Sequence, residues 1–239
     1  MKFYRINNSL NSNVLGHYPQ VKDIHYKCDV WDEPKFIEHN QFIQMDFEPI
    51  TANAVLHEKS KITDLINVSG MGFTNRLLVS EKLKNILESY RKTGIQFFES
   101  NLIYKNKEID NYWILNFFES DMHFLNFNKS KVYLTENIFD KIRELEIKNV
   151  NDFLNMKEII EDEGLPKGIF IETFTLENTI DEDFFFLTNV QGGVTYIVSE
   201  KIRNNVEQEN CTGIEFMPIE IQLSQWLQGG EREKFYGKV

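Results

Sequence analysis

One stretch of this chain occurs twice. Leu78-Val79-Ser80-Glu81-Lys82-Leu83-Lys84-Asn85, running on through Leu87-Glu88 to Thr93-Gly94-Ile95-Gln96-Phe97, returns 119 positions later. The second copy is Ile197-Val198-Ser199-Glu200-Lys201-Ile202-Arg203-Asn204, running on through Val206-Glu207 to Thr212-Gly213-Ile214-Glu215-Phe216. About ten identities fall within some two dozen ungapped residues. Self-similarity at a fixed spacing marks a duplicated structural unit, so any fold for this chain has to contain that unit twice.

Each copy reads as strand, capped helix, glycine stop and returning strand. A short apolar run ends at Val79 or Val198, and the hydroxyl of Ser80 or Ser199 is then placed to accept a free amide of the first helical turn. Glu81 and Glu200 follow at the positive end of the helix dipole. Leu83, Ile86, Leu87 and Tyr90 keep the i, i+3, i+4, i+7 spacing of one buried helix face. The second copy keeps that face more weakly, in Ile202 and Val206. Gly94 and Gly213 are expected to end the helices, with strands over Ile95 to Phe98 and Ile214 to Met217. Caps and packing account for these letters, so the repeat describes architecture rather than chemistry.

The expected fold class is α+β: two related halves with mixed or antiparallel sheets. The halves are 1–130, holding the first repeat, and 131–239, holding connecting helices and the second repeat, either as separate domains or sharing one core. Phe3 to Ile6 reads as an opening edge strand, and Asn7 to Pro49 as loops and short strands, one over Ile43 to Phe47. A Gly70-Met71-Gly72 turn precedes the first repeat. Aromatic strands follow at Leu102-Ile103-Tyr104, Tyr112 to Phe118 and His123 to Phe127. Thr135 is expected to cap a helix with Ile138, Phe139 and Ile142 on one face. Asn151 should cap another, with Phe153, Leu154, Ile159 and Ile160 inward and a stop at Gly164-Leu165-Pro166. Strands over Gly168 to Leu176 and Asp183 to Val190 lead to a Gln191-Gly192-Gly193 turn that echoes the glycine turn ahead of the first copy. The tail from Leu223 reads as a loosely attached end.

With 41% hydrophobic residues, 20 Phe, 9 Tyr and 3 Trp, the chain has ample material for a core. Its net charge of -11 and pI near 5.0 speak against nucleic-acid binding, which needs clustered cations to meet phosphates. Two distant cysteines, Cys28 and Cys211, fit a reduced cytoplasmic setting. No apolar run approaches a membrane span and the N-terminus lacks a signal-like segment.

Motifs of catalysis are sparse. The five histidines share no metal-ligand spacing, and nucleophile elbows, phosphate loops and dinucleotide fingerprints are missing. No metal or cofactor is implied. Asp121 and His123, two apart on an expected strand, would share a face. Glu161-Asp162-Glu163 and Asp181-Glu182-Asp183 are acidic triplets at expected element ends, the usual place for solvated charge.

Taken in order, Lys61 to Ile66, Leu78 to Lys84, Gln96-Phe97-Phe98, Tyr112 to Phe117, Ile197 to Lys201 and Thr212-Gly213-Ile214 resemble a large bacterial family. It was first catalogued as a domain of unknown function, and its members are predicted to be immunity proteins of polymorphic toxin systems. The resemblance covers roughly residues 60 to 219. The family often has an acid before a Lys-Ser pair in the middle segment, where this chain has Asn126-Phe127-Asn128-Lys129-Ser130. The resemblance implies a non-enzymatic inhibitor of a cognate toxin protein, and the acidic balance suits a basic toxin. On that reading Glu161, Asp162, Glu163, Asp181, Glu182 and Asp183 are the candidate partner-binding residues. The alternatives are a hydrolase-type enzyme using Asp121 and His123, and a structural or adaptor protein using Trp31 and Trp226.

Overall fold

The computed structural model describes residues 1–69 and 73–238, so the Gly70-Met71-Gly72 turn lies outside the described residues. In chain order the elements are β1 (Phe3–Asn8), α1 (Ser12–Leu15), β2 (Val21–His25), β3 (Asn53–Leu56), β4 (Leu78–Ser80), α2 (Glu81–Tyr90) and β5 (Ile95–Glu99). Then come β6 (Leu102–Tyr104), β7 (Lys107–Ile109), β8 (Tyr112–Phe117), β9 (Lys131–Glu136), β10 (Asp140–Leu145), α3 (Val150–Glu163), β11 (Lys167–Thr173) and β12 (Phe184–Val190). β13 (Gly193–Ser199), α4 (Glu200–Gln208), β14 (Ile214–Pro218), α5 (Leu223–Leu227) and α6 (Glu231–Tyr236) complete it. The fold is α+β, with mixed and antiparallel sheets. The chain divides into two compact units, Met1–Glu119 with Val198–Val239, and Ser120–Ile197. This division does not follow the repeat, because the helices and returning strands of both copies lie in the first unit.

In that unit the duplication is tertiary as well as sequential. β4 and β5 both pair antiparallel with β8, with Val79 opposite Trp113 and Phe98 opposite Ile114. β14 pairs antiparallel with β1, Ile6 opposite Phe216, and β13 borders β1 on its other side. Each copy is thus a strand, a helix and a strand with another strand slotted between. The slotted strand comes after the first copy along the chain, but for the second copy it is the N-terminus. β1 is therefore a central strand rather than the expected edge, and Phe3, Tyr4, Arg5 and Ile6 are all buried.

Local chemistry follows the sequence closely at the helix starts. Ser80 Oγ accepts from the Leu83 amide at 3.3 Å, and Leu83, Ile86 and Leu87 are buried. Ser199 occupies the same cap position on α4, but its side chain makes no cap bond. The helix ends differ from expectation. α2 stops at Arg91, whose backbone is already extended, and Gly94 comes after it with φ 74°, in the turn that starts β5. Gly213 likewise opens β14. A Cβ there would lie 2.3 Å from the Leu65 carbonyl oxygen, and its φ is 84°, so close approach and backbone conformation both select glycine.

That close approach belongs to the Thr63–Ile66 segment, which joins the copies. Leu65 bridges Val79 of β4, while the Leu65 amide donates to the Thr212 carbonyl at 3.1 Å. A four-stranded sheet, ordered β2-β3-β6-β7, lies in the same unit. Buried Val21, Ala54, Leu56 and Leu102 share a core cluster with Phe36, Ile37 and Met45 from the loops. Ile43 to Phe47 is not a strand. The Gln96 side-chain amide binds both the Met45 N–H, at 3.0 Å, and the Met45 carbonyl, at 2.7 Å, so a side chain does there what a neighbouring strand would have done.

The tail corrects another expectation. It folds into α5 and α6, with Trp226 only 1% exposed and packed on Phe235 and Tyr236. Arg232 grips Glu215 of β14 through two bonds of 2.7 and 2.5 Å, and both side chains are buried. Glu215 is the counterpart of Gln96, so equivalent positions of the repeat fasten different outlying segments.

The second unit is a mixed sheet ordered β10-β9-β11-β12-β13. β9 pairs antiparallel with β10 and β11, and β11 runs parallel to β12. Two expected elements changed type. The helix capped by Thr135 is instead the β9–β10 hairpin, because Asn137 and Ile138 adopt φ of 49° and 75° and turn the chain back. The strand over His123 to Phe127 is a pair of short 3-10 turns, Met122–Phe124 and Phe127–Lys129. α3 forms as expected, but its cap is Asn149, whose side chain accepts from the Asp152 amide at 3.0 Å, and only Phe153 and Ile160 turn inward, leaving Leu154 and Ile159 exposed.

Candidate binding surface

Strand alternation sets the two faces of the second unit. Leu134 stands opposite Ile169 and Val132 opposite Ile171, and these four are buried. Tyr133 stands opposite Phe170 on the other face, and both are half-buried. There Lys141 of β10 pairs with Glu172 of β11 and lies 4.5 Å over the Tyr133 ring. The hydrogen bond that Lys141 donates to the Glu172 carboxylate holds the ammonium above its ordinary pKa. Phe139 meets Phe170 edge-on at 6.1 Å. Apolar surface remains open at the hairpin: Ile138, Phe139 and Ile142 are 55%, 66% and 51% exposed. Sequence reading missed this feature, because positions 138, 139 and 142 also fit helical spacing. The alternating Val132-Tyr133-Leu134 run ending at an Asn was the signal for a hairpin.

Charge concentrates in the same unit. Fifteen acidic and seven basic residues give Ser120–Ile197 a net charge of -8, out of -11 for the chain, in about a third of its length. Glu161, Asp162 and Glu163 form the exposed last turn of α3; Glu161 meets Lys157 at 3.6 Å and Glu163 pairs with Lys167. Asp181 is exposed, and Glu182 and Asp183 are partly buried ahead of β12. The two triplets sit on different elements.

Other sequence candidates separate. Asp121 is buried and accepts from the Phe186 amide at 3.0 Å, whereas His123 is exposed, its ring tilted against that of Phe124. A 3-10 turn sends them to different surroundings, so they form no acid-base pair. Trp31 is 86% exposed, while Trp226 is core. In the middle segment Asn126 donates to Glu177 at 3.2 Å, Asn128 to the Lys148 carbonyl at 3.3 Å, and Ser130 to the Asn126 carbonyl at 2.7 Å, so these residues fasten loops. His17 and His57 stack with ring centres 3.7 Å apart, beside Lys22, Glu58 and Lys59. Among the described residues no group of three or more His, Cys, Asp and Glu could hold a metal ion, and no helix is long and apolar enough to cross a membrane.

An α+β protein with a duplicated strand-helix-strand unit and an acidic second unit is what the geometry defines. Residues 2–221 match the Immunity protein family (Imm11), and the chain belongs to that family. No curated protein matches it.

Proposed function

We propose that this protein is a non-catalytic cytoplasmic immunity protein that binds a cognate toxin domain and neutralises it. The observation that carries this reading is membership of an immunity family across nearly the whole chain. The charge distribution supports a basic toxin, since a unit of net charge -8 would steer and orient a cationic partner. Glu161, Asp162 and Glu163 add to this. They stand at the negative end of the α3 dipole, in a last turn that itself holds no basic residue. Acids there disfavour the helix by a few tenths of a kcal/mol each, a cost that the pairs with Lys157 and Lys167 offset in part, and their exposed negative charge would attract a basic partner. Asp181, Glu182 and Asp183 extend the same acidic field.

The test is co-expression with the toxin domain encoded beside its gene. That domain should kill cells alone and be harmless with this protein; continued killing overturns the function. Charge reversal of either triplet should slow toxin association, most at low salt, and unchanged rates would remove the triplets from the interface.

A further inference from the structure

The tip of the β9–β10 hairpin has two properties that folding does not ask for. Ile138 holds φ 75°, a conformation that strains a β-branched residue and that such turns normally give to Asn or Gly. It is also largely exposed, in a row with Phe139 and Ile142. The Asn137 amide donates to the Pro166 carbonyl at 3.0 Å, which brings in the α3–β11 turn, where Leu165 is 95% exposed. Strain and exposed apolar surface thus coincide at one end of this sheet. The acids that flank these apolar residues in the chain, Glu136 and Asp140 on the hairpin and Glu161 to Glu163 leading into Leu165, outnumber the cations beside them, Lys141, Arg143 and Lys167.

The charge decides what could cover such a patch. A second copy would bring one unit of net charge -8 against another, which disfavours self-association. Strand addition along β10 is disfavoured as well, because the register breaks between Lys141 and Arg143, and a bulge with two cations guards an edge against pairing. A positively charged surface surrounding an apolar recess meets both the side chains and the field.

Building on the immunity function, we infer that the hairpin tip, Ile138 and Phe139 with Leu165 beside them, is the anchor inserted into such a recess on the toxin, with the neighbouring carboxylates facing its basic rim. Exposed aromatic and aliphatic anchors inside a charged rim are where binding energy concentrates.

The experiment measures binding of the full-length protein to a catalytically inactivated form of the toxin domain encoded beside its gene. Phe139→Ser should weaken binding about 30-fold or more. Ile138→Asn should also weaken binding while leaving the melting temperature unchanged or higher, since Asn tolerates the φ that strains isoleucine. Trp31→Ser, which removes an exposed apolar side chain from the first unit, should bind as the unsubstituted protein does. Binding by the Ile138 and Phe139 variants within about 2-fold of the unsubstituted protein would overturn the anchor while leaving the immunity function standing. Loss of binding on Trp31→Ser alone would do the same. Failure of the unsubstituted protein to bind would overturn both readings.

Discussion

Asp64 and Thr212 are 148 residues apart in sequence and joined twice, since one carboxylate oxygen of Asp64 accepts from the Thr212 amide at 2.8 Å and its hydroxyl at 3.3 Å. The other oxygen accepts from the Ser80 hydroxyl at 2.7 Å, and Lys82 stands 3.3 Å from the oxygen that Thr212 binds. One carboxylate therefore ties the start of the first helix to the strand entry of the second copy.

Asp64→Asn should loosen both copies together. An amide nitrogen replaces one acceptor, so either Ser80 or Thr212 then faces a donor. We expect a loss of about 2 to 3 kcal/mol in urea unfolding. The same variant should be visible at Cys211, whose thiol is pushed up to about 11 by burial and, secondly, by the Asp64 charge. Without that charge the thiol should titrate lower, read from the pH dependence of alkylation in a Cys28→Ser background.

Ser80 and Ser199 are the same letter with different consequences. Ser80→Ala removes an N-cap acceptor and the donor to Asp64, and should destabilise by about 1 kcal/mol or somewhat more. The Ser199 hydroxyl is buried without a hydrogen-bond partner among the described residues. Ser199→Ala should be neutral or slightly stabilising in thermal melts, because a desolvated hydroxyl is removed.

Arg232→Ala should cost roughly 3 to 5 kcal/mol, because it leaves the Glu215 carboxylate buried with no cation. Ser9 and the Leu10 amide would still donate to Glu215, each at 2.9 Å. Arg232→Met with Glu215→Gln should recover part of the loss, and a double-mutant cycle measures how much belongs to the pair.

His57 should register acid. Burial, then His17, then Lys22 lower its pKa below the ordinary 6.5. Between the two values the unfolded chain binds more protons, so this contribution is complete above about pH 6.5 and is lost as pH falls through the folded value. His17→Gln should raise the His57 pKa in an NMR titration and flatten the acid side of the stability profile.

Sequence alone determined the repeat, the Ser80 cap and the buried faces of α2 and α4, because these depend on residues within a turn or two of each other; Ser199 holds the cap position without making the cap bond. The family pattern and the acidic balance were equally legible. Tertiary structure decided the rest. Ile138, Phe139 and Ile142 fit a helix face and a hairpin equally well by spacing, and pairing of β9 with both β10 and β11 settled it. The tail looked loose because Trp226 and Arg232 have no local partners; Phe235, Tyr236 and Glu215 supply them. Asp121 and His123 parted because a 3-10 turn lacks the two-residue period of a strand. Most of all, the Asp64 tie between the copies arises from contacts across 148 positions, a separation at which local propensity carries no information.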